Sequence, residues 1–164
     1  MSQTPAFVTP DVKAALRPAP INPAWILEGA PVAKCVVLSQ SRDGTATTVI
    51  WECSEGKFDW FYDRDETLHI FEGIVVLDEG LPTERRVGAG DLVFFPAGSR
   101  ARWDVKAPVR KLAFVRRALP APLAAAVNIL RKVKRLASPG QESPFGAFDS
   151  ANLNEIPVAA QSRP

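Results

Sequence analysis

The sequence predicts an all-β fold, a sandwich or jelly-roll barrel, followed by a C-terminal α-helix and flanked by flexible tails. Three observations carry that expectation. Eight short segments rich in β-branched and aromatic residues succeed one another between Val32 and Val115, and such residues fit a pleated, half-buried surface. Turn chemistry separates them at Arg42-Asp43-Gly44, Ser54-Glu55-Gly56 and Asp78-Glu79-Gly80. Beyond Val115 the apolar period changes to that of a helix. Eight strands at this spacing are the pattern of a sandwich or jelly roll.

Each part of the chain has its own reason. Residues 1–22 hold Pro5, Pro10, Pro18 and Pro20, and Pro23 follows, which suits an extended arm lying along the barrel or along a neighbouring subunit. The barrel is expected over residues 23–117, with strands at 32–39, 45–53, 57–62, 67–71, 74–79, 91–96, 101–105 and 109–115. Gly56, Gly73, Gly90 and Gly98 stand at turns and strand junctions; none leads from a strand straight into a helix as a phosphate cradle requires. A helix is expected over 118–137, where Leu123, Ala126, Val127, Leu130 and Val133 form an apolar stripe. Arg131, Lys132, Lys134 and Arg135 complement the dipole of its last turns, and Ser138-Pro139-Gly140 ends it. Two roles stay open for this helix: packing on the barrel or a subunit with a solvated basic end, or contact with anionic lipid or an acidic partner. Residues 138–164 are expected to be a flexible tail with Phe145 and Phe148 as docking points.

Composition excludes several classes of function. The chain of 164 residues is the size of a single domain with a real core. Its 20 Lys+Arg against 18 Asp+Glu leave a net charge of +2, so no nucleic-acid partner is expected, although Arg100, Arg102, Arg110, Arg116 and Arg117 form a modest basic set. No run approaches the roughly 18 apolar residues of a spanning helix, so no transmembrane segment is expected. The first residues lack the basic start and apolar block of a secretory signal, and two cysteines make no disulfide framework; a cytoplasmic location is the expectation. There is no G-x-S-x-G, no P-loop and no C-x-x-C.

Two spacings then converge. Glu66 is followed after six residues by Gly73, and Gly90 is followed after five by Pro96-Ala97-Gly98. This pair resembles the two motifs of the cupin family, and the resemblance implies a cupin jelly-roll barrel. Within cupins the chain resembles the small single-domain group named for the (S)-ureidoglycine aminohydrolase cupin domain. Trp51-Glu52-Cys53, Gly56-Lys57-Phe58, Asp65-Glu66-Thr67, Glu72-Gly73, Gly90-Asp91, Trp103 and Arg110-Lys111 carry that likeness over about Trp25 to Val115. The resemblance implies metal ligands at Glu66 and at three histidine positions, which here hold Trp60, Tyr62 and Ala101. Of the four ligands only Glu66 is kept, and an indole nitrogen has no lone pair to offer, so no metal and no other cofactor is expected.

Strand alternation places the remaining side chains. Phe58, Trp60 and Tyr62 share one face, and in the cupin frame that face is the barrel interior. Glu66, Leu68 and Ile70 line another strand inward, as do Ala101, Trp103 and Val105; Arg100, Arg102, Asp104 and the single histidine, His69, face out. Glu66 is the candidate catalytic residue, a general acid or base in an aromatic pocket, or else a structural acceptor paired with Lys111 across the barrel. Tyr62 either donates to a bound carbonyl or satisfies its hydroxyl on Glu66. Trp60 and Trp103 are either packed core aromatics or two indole walls for a flat, sugar-like or amine ligand, while Trp51 reads as core. Trp60, Tyr62, Glu66, Trp103 and Lys111 are thus the expected ligand-binding set. The function expected first is a metal-free cupin binding a small polar or nitrogenous metabolite in its barrel. A hydrolase- or isomerase-type enzyme using Glu66, with Tyr62 or Lys111 as electrophilic partner, stands second. An interaction protein using the arm and basic helix stands third. A homodimer is the expected assembly.

Overall fold

The computed structural model describes residues 7–80, 84–117, 120, 122, 123, 125–127, 129, 130 and 133. The expectations for the remaining positions, including the tail 138–164 with Phe145 and Phe148, lie outside the described residues. Two compact units are distinguished, Met1–Ala118 and Leu119–Pro164. In the second, the described residues between 122 and 133 are helical.

The first unit is an all-β barrel made from one curled sheet. Its strands are β1 (Arg17–Pro18), β2 (Ile26–Glu28), β3 (Ala33–Gln40), β4 (Ala46–Cys53), β5 (Gly56–Phe61), β6 (Asp65–Asp78), β7 (Arg85–Gly88), β8 (Leu92–Phe95) and β9 (Arg100–Arg116). A short 3-10 turn, Pro23–Trp25, precedes β2; the Asn22 side chain caps it by accepting from the Ala24 N–H at 3.0 Å. The Asp43 carboxylate organises the β3–β4 turn, accepting from the Ser41 and Thr45 hydroxyls and the Thr45 N–H, which hold its pKa down at about 2.

β9 is the strand on which the sheet is assembled. One of its edges is divided: Val109–Arg116 pairs with β4, and Arg100–Val105 pairs with β5. Its other edge pairs with β6 from Asp65↔Arg116 to Asp78↔Arg102, and β6 in turn carries β7 and β8. The register slips near Glu72–Val75 opposite Val105–Arg110, and such bulges bend a sheet without ending it. Gly73 makes the bend possible. At φ +95° it takes a conformation that side chains rarely adopt, and a Cβ there would collide with the Pro108 carbonyl and stand 2.6 Å from Val109 Cα.

This corrects the expected strand list in two respects: β1, β2 and β7 were not on it, and two pairs of expected segments are each one strand. The segments 67–71 and 74–79 are a single strand of 14 residues, and 101–105 and 109–115 a single strand of 17. Gly73 was expected at a strand junction, but it sits with Pro108 where the register shifts, and pairing resumes on the far side.

Alternation sorts the side chains. Along β9, Ala101, Trp103, Val105, Val109, Lys111 and Ala113 are buried, while their neighbours are half-buried or exposed. Phe58, Leu68, Ile70, Val75 and Leu77 close the core from β5 and β6. Among these apolar groups Lys111 is the exception, with 3% of its surface exposed.

Candidate functional site

Lys111 enters the barrel because it stands at an inward position of β9, opposite Trp51 on β4 and Ile70 on β6. Its Nζ donates to Glu66 Oε1 at 3.0 Å. The same nitrogen lies 4.6 Å from the Trp103 ring centroid and 4.7 Å from that of Trp51, within the range in which an ammonium is attracted to an aromatic face. Glu66 and Lys111 lie on adjacent strands, so the pair bridges β6 and β9 and does not cross the barrel as the sequence reading had it. Their side chains are 13% and 4% exposed.

A second polar link adjoins the first. The Trp103 Nε1–H donates to the Tyr62 hydroxyl at 3.0 Å, and the Tyr62 ring stacks on Phe95 at 4.2 Å. Burial, and then the Glu66 charge, push the Tyr62 phenol well above its ordinary value of 10, a shift the Trp103 N–H offsets in part. Tyr62 is therefore protonated at neutral pH. The sequence left its hydroxyl either a bound carbonyl or Glu66 as partner; in the structure it accepts from Trp103. Burial pushes the Cys53 thiol up to about 12, with the Lys111 charge opposing, so Cys53 is no nucleophile. Ser99 Oγ is buried without a hydrogen-bond partner among the described residues, in the segment whose carbonyl accepts the Tyr62 N–H.

Trp60 does not join this network. It is half-buried, packing edge-on against Trp51 at 5.9 Å, Phe58 at 6.1 Å and Trp25 at 5.8 Å. The second wall around the ammonium is Trp51, a core residue as the sequence predicts. Its inward parity was visible, but its opposition to Lys111 is a long-range pairing that no local pattern reports.

Asp59 was also missed. Alternation put it outside, yet it is only 8% exposed, because Arg100 at 2.5 Å and Arg102 at 3.1 Å close over it from β9. Burial raises the Asp59 pKa, but the two guanidinium hydrogen bonds outweigh it and hold the carboxyl below its ordinary value. Asp65 is held low by the Ala97 N–H and by Arg116. His69 is half-buried and meets Phe71 edge-on.

The residues present do not fit a transition metal. Trp60 and Ala101 offer no donor, Tyr62 keeps its proton and accepts from Trp103, and Glu66 is engaged by Lys111. Among the described residues no three His, Cys, Asp or Glu side chains gather around one point.

Two concavities lie outside the barrel. A groove of about 510 Å³ runs across β3, β4, β9, β6 and β8, lined by Ser39, Thr48, Thr67, Phe94, Phe114 and Arg116 among others. Phe94, Phe114 and neighbouring Leu92 are 57%, 50% and 68% exposed. A smaller hollow of about 200 Å³ adjoins Asp59, Asp78 and the two arginines.

Residues 40–113 match the family described as the EutQ-like cupin domain. A DUF861-family protein of unknown function from Pseudomonas syringae superposes with a TM-score of 0.59 at 25% identity, over 64% of this chain and 46% of that one. The ethanolamine utilization protein Q from Salmonella typhimurium gives 0.47 at 22% identity, over 54% and 72% of the two chains. A DUF861 protein from Thermotoga maritima shares 45% identity, with a TM-score of 0.37, over 39% of this chain and 73% of that one. The chain thus spans about half the length of the Pseudomonas protein. No curated protein matches it.

Proposed function

We propose that this cupin barrel is a metal-independent binding module that takes a small polar metabolite at the Glu66–Lys111 end of its interior. The observation that carries the reading is the convergence of Tyr62, Glu66, Trp103 and Lys111 into adjoining polar contacts inside an aromatic shell. A few convergent polar groups among apolar walls is the usual make-up of a small-molecule site. Lys111 takes Glu66 Oε1, and Oε2 is the acceptor such a ligand would meet. The finer grouping with the ureidoglycine aminohydrolase cupins belongs to the same proposal and rests on the sequence likeness around Trp51, Glu66, Gly90 and Lys111. Catalysis by Glu66 is the less favoured form of it, because a carboxylate held by an ammonium is a poor shuttle for protons.

A thermal-shift screen of ureides, amino acids, small carboxylates and sugars tests the reading, run in parallel on Glu66→Gln. A compound that raises the melting temperature of the natural chain and not that of the variant supports the site. Equal shifts in both proteins, or none from any compound, overturn it.

The outer face favours a second reading, as an interaction module. Leu92, Phe94 and Phe114 are large, exposed and brought together by the β8–β6–β9 register, a concentration of apolar surface that marks contact sites. Under this reading the protein is a homodimer in light scattering and Phe94→Glu makes it a monomer; a monomeric natural chain, or an unchanged mass for the variant, removes the support.

A further inference from the structure

The cage around Lys111 Nζ has the form of a ligand site. Two indole faces stand 4.6 and 4.7 Å away, and a carboxylate oxygen accepts at 3.0 Å. Faces that attract positive charge, closed by an anion, recognise an alkylammonium group. Here the group arrives on the chain's own side chain.

We propose that Trp51, Trp103 and Glu66 form a primary-ammonium site inside the barrel and that Lys111 is its tethered, resident occupant. Three features support this. The lysine stem is buried on an inward strand position, so the ammonium is held in place and does not reach out to solvent. Lysine is a flexible four-carbon stem with a compact charge, which suits a closed cage. Finally, Glu66 has an exposure of 13%, and an acid so placed needs a permanent counter-charge. The barrel therefore carries its cation covalently. In the natural chain the cage itself accepts neither a free amine nor a metal ion. The cage itself rests on geometry and stands whether or not a metabolite binds.

The test is to remove the tether. Lys111→Ala deletes three methylenes and the ammonium, a void matched by n-propylammonium. At saturating n-propylammonium chloride the variant should gain about 5 °C in melting temperature, with a saturable dose dependence. The isosteric n-propanol and equimolar sodium chloride should give no such gain, and neither should the amine with Lys111→Ala/Glu66→Gln or with the natural chain. Equal effects of amine and alcohol, or an equal gain with and without Glu66, overturn the proposal. If Lys111→Ala does not fold unaided, refolding from urea with amine or alcohol in the buffer replaces the melt. Soluble barrel in the amine alone supports the site, and no difference refutes it. These outcomes are distinguishable from those of the metabolite screen, in which every protein keeps Lys111.

Discussion

Lys111 and Glu66 show how a single inward position can decide what a barrel does. Breaking one half of a buried ion pair costs more than the pair contributes, because the surviving group is left without its counter-charge. Glu66→Gln is therefore expected to lower the unfolding free energy by about 2 kcal/mol, read from urea titrations, while Glu66→Gln/Lys111→Met recovers part of that loss. Asp59 and Asp65 set a second expectation. Both bind their protons more weakly in the folded chain than in the unfolded one, so the stability they contribute is complete above the unfolded carboxyl value of about 4. It is lost as the pH falls through their lower folded values. The urea midpoint should drop below about pH 4, and Asp59→Asn should flatten that part of the profile. Alternation assigned the facing of Tyr62, Glu66 and Trp103 from sequence, because the period of a strand is local. Asp59 and Trp51 escaped, because what matters about them is the partner across the sheet: Arg102 for one, Lys111 for the other.

At the scale of elements, the bend of β6 over β9 is the feature most exposed to a single change. Gly73→Ala puts a methyl group into the Pro108 carbonyl, backbone that has nowhere to retreat, at a φ of +95° that alanine avoids. The expected loss is about 3 kcal/mol, seen as a lowered urea midpoint with an unchanged slope. Gly80, also at positive φ, has no atom of the described residues within 4 Å of a Cβ and serves as the comparison; alanine there should cost about 1 kcal/mol. The strand-forming segments were legible from their β-branched and aromatic residues. Their continuity through Gly73 and Pro108 was not, since a bulge and a turn share the same residues, and only the partner strand tells them apart.

The whole barrel was legible because Glu66, Gly73, Gly90, Pro96 and Gly98 keep their spacing together, and the same frame exposed the replaced ligands. Protein purified without chelator is accordingly expected to hold well under one equivalent of transition metal by elemental analysis; a stoichiometric metal surviving dialysis would contradict the account of Trp60, Tyr62 and Ala101.

β9 hydrogen-bonds to β4, β5 and β6, and it is the last strand of the barrel to be made. During synthesis the earlier strands must wait, their apolar faces and edges uncovered, until residue 116 has emerged; at about 5–20 residues per second the wait is seconds long. Nascent chains of this protein are therefore the vulnerable species, and a chain stopped at residue 99 should collect in the insoluble fraction while one stopped at 117 does not. The strand that makes the finished barrel cohere is the one its birth must survive without.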